Sequence, residues 1–150
     1  MNDCLQLKSK ISEHASEACI FCKIVKGEIP CSKVYENSNV LAFLDIKPIN
    51  KGHTLVIPKK HFVNVFDGSE DDLCEVAKAV KKVSFAVKKA VEADGLNIMS
   101  SNDSAAGQVV MHAHTHLIPR FKDDGLKLWP GKDYEENETD SIKEKIIKFL

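Results

Sequence analysis

Three histidines stand at alternate positions in the segment Val109-Val110-Met111-His112-Ala113-His114-Thr115-His116-Leu117-Ile118. Successive side chains of an extended chain point to opposite faces. His112, His114 and His116 are therefore expected in a row on one face of a strand, with Met111, Ala113, Thr115 and Leu117 on the other. Such a row supports two chemistries. A neutral imidazole can attack phosphorus while its neighbours hold its tautomer and supply or stabilise protons. Alternating histidines can also serve a zinc hydrolase, which would keep an open metal position at His114 and His116. The preceding Ser101-Asn102-Asp103-Ser104-Ala105-Ala106-Gly107-Gln108 is small and polar, a loop whose main-chain N–H groups can approach an anion. A histidine row that meets such a loop suits phosphate chemistry.

Cys19 and Cys22 have the Cys-x-x-Cys spacing of half a closed zinc site. Two histidines from elsewhere would complete the four ligands. The alternative is a pair of buried thiols on a short helix. Cys4, Cys31 and Cys74 have no partner at useful spacing. Five cysteines is an odd count, and with no apolar export signal at the start it speaks for reduced thiols in the cytoplasm and against a disulfide framework.

These residues need a frame to hold them. The chain has 150 residues, 43% hydrophobic and 29% charged, which fits one globular domain. Its net charge of -1 offers no basic field for a nucleic-acid backbone, and its apolar runs are too short for a membrane span. Residues 1–17 read as a loosely ordered extension. Ile20, Phe21, Ile24 and Val25 repeat at helical spacing until Gly27 and Pro30 end the run. Strands are expected at Lys33–Glu36, Val40–Ile46, His53–Pro58, Leu96–Ser101 and Val109–Ile118. One long helix is expected over Asp71–Ala93, capped by Ser69 and stopped by Gly95. Its apolar stripe is Leu73, Val76, Ala77, Val80, Val83, Val87, Ala90 and Val91. Ile142–Leu150 has the pattern of a terminal amphipathic helix. Hairpin-linked strands beside one long helix make an α+β domain with an antiparallel sheet.

From Ala18 to Phe121 the chain resembles the histidine triad (HIT) family of nucleotide hydrolases and transferases. It is most similar to the nucleotide-binding branch of that family, and in particular to its zinc-carrying microbial type. The resemblance rests on His112-Ala113-His114-Thr115-His116-Leu117-Ile118, which follows the alternating histidine signature, and on four further landmarks. These are Cys19-Ile20-Phe21-Cys22-Lys23-Ile24, Ala42-Phe43-Leu44-Asp45-Ile46, Gly52-His53-Thr54-Leu55-Val56-Ile57-Pro58-Lys59-Lys60-His61 and Ala105-Ala106-Gly107-Gln108.

The resemblance implies a HIT-like domain over residues 18–121, with a five-stranded antiparallel sheet on the long helix and short helices at either end. A C-terminal tail follows over 122–150. It implies that His114 attacks the α-phosphorus of a purine nucleotide, such as an adenosine phosphoramidate, to form a nucleotidyl-histidine. His116 would contact the phosphate, and His112 would orient its neighbours with His53 nearby. Asp45 would take the ribose hydroxyls, with Ile46 flanking base or sugar. Gln108 and the main chain at Gly107 and Val109 would hold phosphate oxygens, and Ser101 and Asn102 would lie at the nucleotide. Cys19, Cys22, His61 and His112 would hold a structural zinc, and two copies would form a homodimer. The chain departs from the family pattern at Val109, where many relatives carry a hydroxyl that donates to the leaving group. Ser101 stands where nucleotide-binding relatives often place Asn. Rival expectations are dinucleoside polyphosphate hydrolysis and a non-catalytic nucleotide-binding module.

Overall fold

The computed structural model describes residues 17–150; the extension expected over 1–17 lies outside it except for Glu17. The elements run α1 (Ile20–Val25), β1 (Lys33–Glu36), β2 (Val40–Leu44), β3 (Thr54–Pro58), α2 (Glu70–Ala90), β4 (Gly95–Met99), a 3-10 turn (Ser104–Ala106), β5 (Thr115–Arg120) and α3 (Glu138–Ile147). The strands form one antiparallel sheet in the order β1-β2-β3-β5-β4. This is the α+β architecture expected from the sequence.

Both faces of the central strands are covered, so β2 and β3 are apolar without alternation. Leu41, Phe43, Leu55 and Ile57 pack with Cys19, Phe21 and Cys22 on the α1 face. Val40, Ala42, Val56 and Leu117 pack with Ala79, Val83 and Val87 on the α2 face. Val40, Val56 and Leu117 are fully buried, each such side chain stabilising the fold by about 1.5–3 kcal/mol. Leu55 lies directly opposite His116. Strand parity therefore sets His116 on the α1 face, while its neighbour Leu117 enters the α2 core.

Ser69 caps α2 as expected, its side chain accepting from the Asp72 N–H. The buried stripe of α2 is centred one position away from the one read from sequence. Ala79 is almost fully buried, whereas Ala77 and Ala90 are exposed. A small side chain at the middle of the face lets the helix approach the sheet closely. The helix also ends at Ala90, before Gly95. Glu92 takes a left-handed φ of 54° and the Ala93 N–H donates back to the Lys88 carbonyl, closing the last turn.

Two further elements differ from expectation. The strand read over Val109–Ile118 is paired only over Thr115–Arg120. Val109 to His114 is irregular because its partners are loop atoms: the Ala113 N–H donates to the Phe62 carbonyl, and the Gln108 side chain donates to Val110 O. The terminal helix covers Glu138–Ile147, earlier than Ile142–Leu150, and buries none of its residues. Asp124 anchors the start of the tail by accepting two bonds from the Arg120 guanidinium at 2.7 and 2.9 Å.

Candidate active site

The histidines are gathered by three local devices. Gly52, at φ 86°, makes the tight turn that leads His53 into β3, and a Cβ there would meet Val91 at 2.8 Å. Gly107, at φ 89°, ends the 3-10 turn before the histidine segment. Phe21 of α1 presents its ring edge-on to both His112 and His114, at centroid distances of 5.8 and 5.4 Å. The three imidazoles thus share one side of the molecule, although only His116 lies in a paired strand.

Main-chain partners decide where the protons sit. The Nδ1 of His114 lies 2.7 Å from the His112 carbonyl, which can only accept, so Nδ1 carries the proton and Nε2 keeps its lone pair. The Ile49 N–H donates to His53 Nδ1 at 3.2 Å, so neutral His53 carries its proton on Nε2. That nitrogen is 2.9 Å from His116 Nδ1 and donates to it. Neutral His116 then bears its proton on Nε2. Asp45 is next in this line, with Oδ2 3.7 Å from His53 Nδ1 and Oδ1 accepting from the Lys47 N–H.

These groups meet at a cavity of about 510 Å³. Ile20, Ile24, Phe43 and Ile46 form its apolar part, and Asp45, His114, His116, Gly107 and Val109 its polar end. Val109 and Ile46 are almost fully exposed at its mouth. Among the described residues, none accepts from the Val109 N–H. The cavity thus joins an apolar slot, a carboxylate, a nucleophilic nitrogen and an imidazole donor. A larger groove of about 700 Å³ between α2 and β4 is walled by Leu73, Val76, Val80 and Ile98. His114 lines this groove as well, but His116 and Asp45 line only the smaller cavity, which is therefore the candidate site.

Three of the residues read from sequence lie elsewhere. Gln108 is buried, with Nε2 donating to Val63 O and Val110 O and Oε1 accepting from the Asp103 N–H. Its amide is used within the protein. Asn102 accepts from the Val65 N–H and lines the larger groove, and Ser101 lines neither cavity. Lys47 also lines the site, one position beyond the Ala42-Phe43-Leu44-Asp45-Ile46 landmark, and the sequence reading does not include it.

Behind the histidine row, His112 Nε2 donates to the Pro58 carbonyl at 2.9 Å, so its Nδ1 is the nitrogen with a lone pair. That atom faces Cys19 Sγ and Cys22 Sγ at 3.5 Å each and His61 Nδ1 at 3.2 Å. Cys22 Sγ is 3.3 Å from His61 Nδ1. At the bond lengths zinc takes, tetrahedral ligands would lie about 3.3–3.6 Å apart for nitrogen–nitrogen and sulfur–nitrogen pairs. The donor set therefore fits a metal ion. Burial, with the Cys19 thiol alongside, pushes the Cys22 thiol up to about 12 without a cation. A metal is what would let both sulfurs ionise.

Asp45, His53 and His116 also place one ligand atom each within 4.8 Å of the others. Their 2.9 Å nitrogen–nitrogen contact is a hydrogen bond with a proton in it, and the Ile49 N–H occupies the other His53 nitrogen. In neutral His53 both ring nitrogens are thus engaged within the protein, which leaves no lone pair there for a metal. Burial lowers His116 to about 4, helped by the rings of His114 and His53 and opposed by Asp45. Burial likewise lowers His53.

From pH 6.5 down to about 4, the unfolded chain binds a proton at His116 that the folded chain does not. Stability is therefore expected to fall as pH drops through that window, the contribution being fully present above it. Thermal midpoints should decline less steeply in His116→Gln than in the wild type. Parallel curves would show that acid titrates other groups.

Residues 26–123 match the HIT domain. The chain is 45% identical to the protein Hit of Bacillus subtilis over 141 residues, covering 91% of this chain and 97% of that one. It is 41% identical to the adenosine 5'-monophosphoramidase of Schizosaccharomyces pombe, over 86% of this chain and 96% of that one. Its fold is similar to a crystal structure of a zinc-bound histidine triad family protein from Mycobacterium smegmatis. The TM-score is 0.71 and the identity 39%, over 79% of this chain and 86% of that one. With the histidine row, its cavity and the Cys/His cluster already in view, these matches establish that the chain belongs to the HIT domain family.

Proposed function

We propose that this protein is a purine nucleotide hydrolase or transferase that opens the α-phosphate bond of adenosine phosphoramidate-type substrates through a nucleotidyl intermediate on His114. The observation that carries this reading is the His114 Nδ1–H bond to the His112 carbonyl, which leaves Nε2 unprotonated beside the cavity. That nitrogen forms a bond to phosphorus as the phosphorus–nitrogen bond of the substrate breaks. The electron pair leaves with the amine, which takes up a proton from water at the cavity mouth. Water then cleaves the Nε2–phosphorus bond and releases AMP. His116 donates through Nε2 to a phosphate oxygen, its own proton held in place by His53. Asp45 takes the ribose hydroxyls, and the base lies between Ile46 and the apolar wall. The main chain at Gly107 and Val109 holds phosphate oxygens, with Gln108 supporting it from beneath and Ser101 and Asn102 opening the loop. The phosphoramidase name of the fission-yeast relative supports this substrate class. The deciding experiment is to trap a labelled adenylyl group on the protein and locate it on His114. Nucleotide binding without trapped label or turnover would favour the non-catalytic module, and preferential turnover of diadenosine polyphosphates the other hydrolase.

Cys19, Cys22, His61 and His112 would hold Zn²⁺, a closed set of two sulfurs and two nitrogens whose role is structural. When bound, the ion supplies charge neutralisation for the two thiolates. The thiols suit a reducing cytoplasm. The chain would act as a homodimer through the β4 edge, where Ile98 is half exposed and the apolar groove against α2 is open. No helix among the described residues is long and apolar enough to cross a membrane.

Val109 places no hydroxyl at the cavity mouth, so the departing amine draws its proton from water instead of a protein hydroxyl. Val109→Ser is expected to raise kcat by roughly tenfold for poorly leaving alkylamines and by much less for good leaving groups. Rates of both substrate types in both proteins check this. An equal change would mean that residue 109 acts through packing.

A further inference from the structure

The loop that carries His61 and the turn that precedes His112 are laced together by hydrogen bonds. The Val65 N–H donates to Asn102 Oδ1 at 3.0 Å, Asn64 Nδ2 to Asp103 Oδ1 at 2.8 Å, and Gln108 Nε2 to Val63 O at 2.6 Å. At the centre, Asp103 has φ 70° and ψ 160°, a conformation that only glycine adopts without strain. Asp103 also closes both ends of the Ser104–Gly107 turn. Its N–H donates to Gln108 Oε1 at 2.8 Å, and its carbonyl accepts from the N–H groups of Ala106 and Gln108 at 3.1 and 3.2 Å. Glycine would fit this backbone better, so the carboxylate must do something glycine cannot. Its side-chain partner, Asn64, is buried and is itself fixed, with Oδ1 accepting from the Phe66 N–H and its own N–H donating to Asp67.

We propose that Asp103 and Asn64 form a clamp that positions the phosphate-holding main chain at Gly107 and Val109 against His114. Neither residue lines the cavity, so both are positioning residues. The clamp holds a strained turn in register with the loop that carries His61, and the phosphate and metal ends of the site keep one spacing. This rests on the nucleotide reading above.

The test compares wild type, Asp103→Gly, Asp103→Asn, Asn64→Ala and the Asp103→Gly/Asn64→Ala double variant. It measures thermal midpoint, AMP affinity, and kcat and KM for adenosine phosphoramidate. Asp103→Gly relieves the strain and removes the clamp. Its melting temperature should hold or rise while kcat/KM falls about ten- to a hundredfold, the cost of misplacing reacting groups. Asp103→Asn keeps an accepting oxygen and tolerates positive φ, so it should recover most of that loss. The double variant should lose little beyond Asp103→Gly alone, as partners in one interaction do. Asp103→Gly turnover within threefold of wild type would overturn the clamp, and so would an activity loss matched by a lower melting temperature. If the wild type binds AMP but turns over nothing, the enzymatic reading fails. The clamp is then judged on AMP affinity, which must be weaker in Asp103→Gly than in Asp103→Asn.

Discussion

Replacing His114 with alanine is expected to abolish turnover, by about 10³-fold or more, roughly 4 kcal/mol of barrier, while AMP affinity changes little. A covalent nucleophile lowers the barrier to the chemical step and contributes little to ground-state binding. The ribose and phosphate contacts proposed for Asp45 and the Gly107–Val109 main chain are untouched by the change. His114 is nearly buried, and alanine leaves the His112 carbonyl without its donor, so some stability is lost as well. His114→Asn is the matching control, because an amide N–H can still reach that carbonyl while offering no nucleophile. Both variants should bind AMP and accumulate no labelled adenylyl-protein. Turnover by either within about tenfold of wild type, roughly 1.4 kcal/mol, would rule out covalent catalysis at this residue.

Removing the metal should lower the melting temperature by about 10 °C or more, since a few kcal/mol of site free energy shifts a domain of this size by that order. The cause is geometric. The cluster joins Cys19 and Cys22, which flank Phe21 in the α1 core, to His61 after β3 and to His112 of the histidine segment. Without a cation, two buried thiols and two imidazoles are left facing one another. Still-folded enzyme should keep most of its first-turnover rate on chelation, because His114 takes its orientation from a main-chain carbonyl and not from the metal. Cys22→Ser should show the lower melting temperature at the outset and no longer respond to chelator. A freshly purified protein with no bound metal and a melting temperature indifferent to chelator would refute the site. An immediate loss of rate at unchanged stability would move the metal into the chemistry.

Much of this was legible in the sequence because it depends on local pattern. The bounds of β1 coincide with its sequence pattern, and those of β2, β3 and β4 agree with theirs to within two residues. The cap of α2 followed from Ser69. The Cys/His cluster followed from the family resemblance, and its four side chains do converge. What escaped depends on long-range pairing. The sequence of Val109–His114 alternates as a strand would, yet the partner offered to it is the Phe62 loop and not a strand. Gln108 reads as a polar side chain near phosphate, but its amide is taken up by Val63, Val110 and Asp103. Ala79 joins Val83 and Val87 on the buried face of α2 and escaped because a small side chain adds little to a hydropathy stripe. The strain at Asp103 has no signature at all, since aspartate in a polar loop looks ordinary.

The bond from His114 Nδ1 to the carbonyl of His112 also bears on how this site tolerates mutation over time. A main-chain oxygen survives every substitution at its own position. A change of the side chain at 112 therefore leaves the acceptor of the His114 proton in place, provided the backbone stays where it is. The other arm has no such insurance. The proton on His116 is set by the imidazole of His53, a side chain that one codon change removes. A change at 53 should therefore alter where His116 carries its proton, whereas a change at 112 should spare the proton on His114 and be felt as lost stability at the Cys/His cluster.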